Sequence, residues 1–120
     1  MNARRVLIVH AAVVMRMMVR DMLIANGFEV VGEAVNGLQA VETYKALLPD
    51  VVTMDMIMPE MDGIAAVKAI VSEFPQAKII MCTSMGQEAV VEAIQAGAKV
   101  LITKPFGSPK LIEAIEKLLA

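Results

Sequence analysis

Aromatic residues are scarce: they make up 3% of this 120-residue chain, with three Phe, one Tyr and no Trp. A core built on large rings is excluded, so packing must rest on aliphatic side chains and methionine. The single cysteine, Cys82, rules out an internal disulfide and fits a reducing compartment. The single histidine, His10, leaves too few soft ligands for a closed structural zinc centre. No apolar run approaches the ~20 residues that cross a bilayer. Arg4-Arg5 leads only into a strand-length apolar stretch, so no signal peptide is expected. The formal net charge of -2 offers no basic face for nucleic acid.

What the chain has in excess is hydrophobicity. Hydrophobic residues reach 58%, above the usual ~45–50%, and there are eleven Met. Two readings follow: a generous core in which Met fills irregular gaps, or an additional apolar surface for a partner or for self-association. The length suits one domain, residues 1–120, which buries roughly two-thirds of its unfolded surface and needs no staple.

Strand and helix signals alternate along the chain. Val6–Val9 is a short apolar run of the kind found in a strand covered on both faces. A helix rich in Met, Val and Leu is predicted from about Ala12 to Ala25, stopped by Asn26-Gly27. Glu29–Ala34 reads as a strand nearer an edge, because polar residues enter it. Asn36 can cap a helix running to about Leu48, closed by Pro49. Val51–Met54 is the third strand. Asp62 can cap a helix to about Phe74, in which Ile64, Val67, Ile70 and Val71 keep helical spacing. Lys78–Cys82 is the fourth strand, Gln87–Ala96 a helix ended by Gly97, and Val100–Thr103 the fifth strand. Ser108-Pro109 opens the last helix, with Leu111, Ile112, Ile115, Leu118 and Leu119 on one stripe. Five β-α units with short connections favour a parallel sheet covered by helices on both faces. Functional groups should then gather at the carboxyl ends of the strands.

Those ends carry His10 and Ala11, Asp55, Thr83 and Ser84, and Lys104. Asp55, Thr83 and Lys104 can converge on one rim. A carboxylate, a hydroxyl and an ammonium suit a phosphoryl group, with the carboxylate as nucleophile and the other two binding its oxygens. Without a phosphoryl group, Lys104 would pair with Asp55.

The stretches Arg5–Val9, Asn36-Gly37 with Ala40-Val41-Glu42, Asp50–Asp55, Met58–Gly63, Ala96-Gly97-Ala98 and Lys104-Pro105-Phe106 together resemble a response-regulator receiver domain of the single-domain chemotaxis type. The resemblance covers essentially the whole chain. It implies a flavodoxin-like (βα)5 three-layer sandwich with strand order 2-1-3-4-5, an order known from members of this family. It also implies a cytoplasmic, non-enzymatic module of a two-component phosphorelay. Asp55 resembles the phosphoacceptor, Thr83 the hydroxyl residue that turns toward the phosphoryl group, and Lys104 the phosphate-binding lysine. The Lys104-Pro105 bond would be cis, and the Ile57 carbonyl would be the backbone ligand to Mg²⁺.

Two departures follow. Where the family has two acids after the first strand, this chain has His10 and Ala11. Mg²⁺ wants hard oxygen ligands in near-octahedral geometry, and neither residue supplies one. Mg²⁺ binding is therefore expected to be weak or lost, with Asp55 and the Ile57 carbonyl the sole remaining ligands. Leu101 stands where the family carries a switch aromatic. His10 itself can be a polar residue at the rim, one half of a His10–Asp55 base dyad, or a soft-metal ligand. The first helix, apolar nearly all round, is either generous core packing or a contact face beside His10 formed by Val13 and Val14.

The expected function is a receiver-type module with a degenerate phosphorylation site. It would act by protein contact through Gln87, Glu88, Val91, Lys99 and Lys110, as a monomer or weak homodimer. Implied partners are a histidine kinase and a motor-switch or phosphatase protein, with no nucleic acid and no membrane. Alternatives are an engineered receiver scaffold with a redesigned pocket or altered assembly, and a conventional phosphorylatable regulator.

Overall fold

The computed structural model describes residues 4–84 and 87–120. Five strands and five helices alternate: β1 (Arg5–Val9), α1 (Val13–Ala25), β2 (Glu29–Ala34), α2 (Gly37–Leu47), β3 (Val51–Asp55), α3 (Gly63–Glu73), β4 (Ile79–Thr83), α4 (Gln87–Ala96), β5 (Val100–Thr103) and α5 (Ser108–Leu119). The strands form one parallel sheet in the order β2-β1-β3-β4-β5. This is the expected flavodoxin-like architecture and strand order.

Side chains alternate across a strand, and two core layers result. Leu7, Val9, Val52, Met54, Ile79 and Met81 pack under α2, α3 and α4. Val6, Ile8, Val51, Ile80, Cys82 and Ile102 pack under α1 and α5. β1, β3 and β4 lie inside the sheet, and all but Arg5 of their residues are buried. β2 and β5 are the edges, which explains the polar residues within β2. A register irregularity between Val6 and Leu7 shifts the pairing of β1 with β2.

Local chemistry sets the boundaries. Asn36 and Asp62 accept from the amides of Gln39 and Ala65 at 2.9 Å each, capping α2 and α3 as expected. α2 ends one residue earlier than expected, because Leu48 takes a left-handed conformation (φ 47°). α1 begins at Val13; Ala12 is its N-cap and has no side chain with which to cap.

α1 carries both a packed stripe and exposed apolar side chains. Val19 and Leu23 are buried under it, yet Val13, Val14, Met17, Met18 and Ile24 are each between 48% and 63% exposed. The helix thus packs through one narrow stripe and presents aliphatic and thioether groups to solvent.

Candidate functional site

The chain winds outward in opposite directions from β1 and β3, so the crevice at their carboxyl ends is the natural place for a site. His10 follows β1 and Asp55 closes β3. Strand parity puts His10, Thr53 and Asp55 on the α1/α5 side of the sheet, with Val6, Ile8 and Val51. Thr83 ends β4, and Lys104 follows β5.

Asp55 is the centre of the arrangement. Its Oδ1 accepts a short hydrogen bond from Lys104 Nζ. Its Oδ2 lies 3.4 Å from His10 Nδ1. Burial alone would push the Asp55 carboxyl up. The combined pull of His10 and Lys104, through hydrogen bonding and charge, overcomes this and holds it below its ordinary value. The Lys104-Pro105 bond that follows is cis, as the resemblance implied.

The loop after β3 closes tightly on this carboxylate. Gly63 N donates to Met56 O at 2.8 Å. A Cβ on Gly63 would stand 2.3 Å from the Asp55 carbonyl, so only glycine fits there. Met56, Ile57, Cys82, Thr83 and Ser84 surround a recess of about 60 Å³ beside Asp55 and Lys104. That is room for one or two waters at roughly 30 Å³ each. Thr83 Oγ1 lies 3.6 Å from Met56 Sδ within it. The Cys82 thiol is fully buried and pushed up to about 12 by that burial and by Asp55 nearby. It is a packed thiol rather than a nucleophile.

His10 corrects one expectation. It is not a polar residue at the rim: its side chain is 0% exposed. The ring lies against Thr53 of β3, whose Oγ1 is 3.3 Å from Nε2. The backbone is pinned as well. His10 N donates to Ala34 O at 3.1 Å, and Arg16 Nη1 donates to His10 O at 2.7 Å and Ala11 O at 3.0 Å. Arg16 is oriented by Glu33, with Nε 3.3 Å from Oε1. The base-dyad reading gains proximity to Asp55 but loses access, since both ring nitrogens face protein groups. Val13 and Val14 are exposed at the start of α1.

Ala11 is exposed and ends at Cβ. Among the described residues, no group of three or more His, Cys, Asp or Glu side chains could hold a metal. One Asp55 oxygen is taken by Lys104, and an imidazole stands beside the other. These residues do not fit Mg²⁺, which needs several hard oxygen donors. Leu101 is half-buried against the α2–α4 core layer and has no ring to rotate.

Two participants escaped the sequence reading. Thr53 carried a signal: a lone hydroxyl within an apolar central strand must find a buried partner. Arg16 carried none, because its target is backbone. Of the expected contact residues, Val91, Lys99 and Lys110 are exposed, while the side chains of Gln87 and Glu88 lie outside the described residues.

A profile of the response regulator receiver domain matches residues 6–116. The chain is 59% identical to chemotaxis protein CheY of Bacillus subtilis (strain 168) over 118 residues, 98% of each protein. It is 56% identical to chemotaxis protein CheY of Thermotoga maritima over 116 residues, 96% of this chain and 97% of that one. Among solved structures, it is similar to the CheX-CheY-BeF3-Mg+2 complex from Borrelia burgdorferi. The TM-score is 0.93 at 31% identity, covering 98% of this chain and 90% of that chain. The response regulator domain of Thermotoga maritima CheB matches with a TM-score of 0.90 at 38% identity, covering 98% and 97%.

Proposed function

The chain belongs to the response regulator receiver domain family, as a CheY-like module of two-component signalling, and from that premise we propose that its pocket has exchanged metal-assisted phosphorylation for a fixed, metal-independent charge arrangement. Receiver domains are signalling modules, and they normally use Mg²⁺. In this chain Lys104 and His10 flank Asp55, and Ala11 offers no donor from its side chain. The single observation carrying the proposal is that contact set: both carboxylate oxygens already face a nitrogen group of the protein.

Phosphoryl transfer to a carboxylate depends on neutralising charge on the transferring group. Lys104 supplies one positive charge. The donors that would hold a divalent ion are missing, so Asp55 accepts phosphate poorly. Signalling then proceeds by protein contact through the surface of α4, β5 and α5, where Val91, Lys99 and Lys110 are exposed. A phosphatase-type partner is consistent with the Borrelia neighbour, in which CheY is bound to CheX, and a histidine kinase or motor-switch protein fits the same class. The setting we infer is cytoplasmic, with the chain a monomer or weak homodimer. No helix of the described residues is long and apolar enough to cross a membrane.

The test is exposure of the chain to acetyl phosphate and Mg²⁺, followed by intact mass measurement. The unaltered chain should gain little or no phosphoryl mass, and the His10→Asp/Ala11→Asp double variant should gain it at Asp55. Equal phosphorylation of both proteins would overturn the proposal.

A further inference from the structure

Between α1 and the segment that joins β5 to α5 lies a cavity of about 250 Å³. Met15, Met18, Val19 and Met22 form one wall, and Pro105 and Phe106 the other. Helical spacing builds the first wall: the four residues fall at i, i+3, i+4 and i+7, on one stripe of α1. Val19 is fully buried, Met15, Met22 and Phe106 are partly buried against the α1/α5 core layer, and Met18 is 48% exposed. The cavity therefore runs from the core to the surface.

Size limits what could fill it. An apolar cavity gives water too few partners, and one of about 150 Å³ already takes benzene. This one falls short of the ~300–1,000 Å³ of a drug-sized site, so it suits one or two fused rings. The lining favours aromatic over aliphatic occupants. Three thioethers on unbranched stems adapt to a ring and make favourable contacts with its edge.

Charge narrows the class further. Lys104 is the one charged residue in the lining, and its ammonium is committed to Asp55. A cationic ligand is repelled by it, and an anion finds it already paired. An uncharged ring remains, and the negative face of such a ring is complementary to the lysine. Lys104 also lines the recess beside Asp55, so one side chain belongs to both spaces. We infer that this cavity binds a small uncharged aromatic molecule of one or two fused rings, and that its occupancy is coupled to Asp55 through Lys104. A ligand pressing on the lysine alters the grip of the ammonium on the carboxylate, and by linkage the release of that grip alters ligand affinity. The site requires neither metal nor phosphoryl chemistry and so stands apart from the reading of the pocket above.

The probe is indole, added to the full chain carrying methyl-labelled methionine. The methyl resonances of Met15, Met18 and Met22 should shift and saturate, with a dissociation constant on the order of 1 mM for so small a ligand. Met17 is also 48% exposed but lies outside the lining, and Met54 and Met81 belong to the opposite core layer. These three should stay in place. Met18→Trp fills the cavity from a half-exposed position and should weaken indole binding at least about tenfold, with circular dichroism and urea unfolding showing it folded. Shifts that never saturate, or that move Met17 as much as Met18, would mean indiscriminate contact with exposed apolar groups and overturn the site without any variant. Equal affinity in Met18→Trp would do the same. Asp55→Asn releases the Lys104 ammonium and should change indole affinity by about fivefold or more; an unchanged value would overturn the coupling.

Discussion

Asp55 is a buried carboxylate whose stability depends on its two nitrogen neighbours. Its carboxyl is held below its ordinary value of 3.8, so the sign of the pH effect is determined. The folded state binds its proton less readily than the unfolded chain does. The group therefore contributes stability above that ordinary value, and the contribution is lost as pH falls through the lower folded value. Asp55→Asn should flatten the acid limb of the stability curve below about pH 4. Urea midpoints measured stepwise from neutral to strongly acidic pH would show this, and an unchanged limb would remove Asp55 from the account. Restoring acids at positions 10 and 11 should act oppositely at neutral pH without metal. Two carboxylates ~5 Å apart repel by about 3 kcal/mol at an effective dielectric of ~20, and Lys104 offsets part of this. The His10→Asp/Ala11→Asp variant should unfold at lower urea than the unaltered chain and recover when Mg²⁺ is added.

At the scale of elements, much was readable beforehand, because local signals and burial agree. Asn36 and Asp62 were expected caps and are caps. The polar content of Glu29–Ala34 pointed to an edge, and β2 is an edge. The pocket's distances were not readable, because they depend on groups far apart in sequence. His10 is buried through Thr53 and pinned by Arg16, and neither link leaves a local pattern. Ala12 shows a defect that propensity alone identifies. It has the extended N-cap backbone (φ -80°, ψ 126°) with no side-chain oxygen, and the first turn of α1 carries no acid. Ala12→Ser should satisfy one orphan amide and stabilise the fold by about 0.5–2 kcal/mol, read from urea denaturation. No gain would mean that water already serves that amide as well.

For the molecule as a whole, Cys82 is a reporter placed where nothing but cooperative opening can reach it. It lies in β4 between β3 and β5, is 0% exposed, and packs in the α1/α5 core layer. Its thiol is pushed up to about 12, so near pH 8 the folded chain presents almost no thiolate. Exposing it requires parting the sheet from α1 and α5, the least frequent of the openings available to a fold of this kind. Labelling with a thiol reagent should therefore be slow and should track global stability when closing outpaces reaction. Ala12→Ser should slow it. Gly63→Ala should accelerate it, because a Cβ placed 2.3 Å from the Asp55 carbonyl forces the β3–α3 loop apart at a cost of about 1–3 kcal/mol. If both variants label at the rate of the unaltered chain, access to Cys82 runs through a local opening of β5, and the sheet is less cooperative than its buried central strands imply.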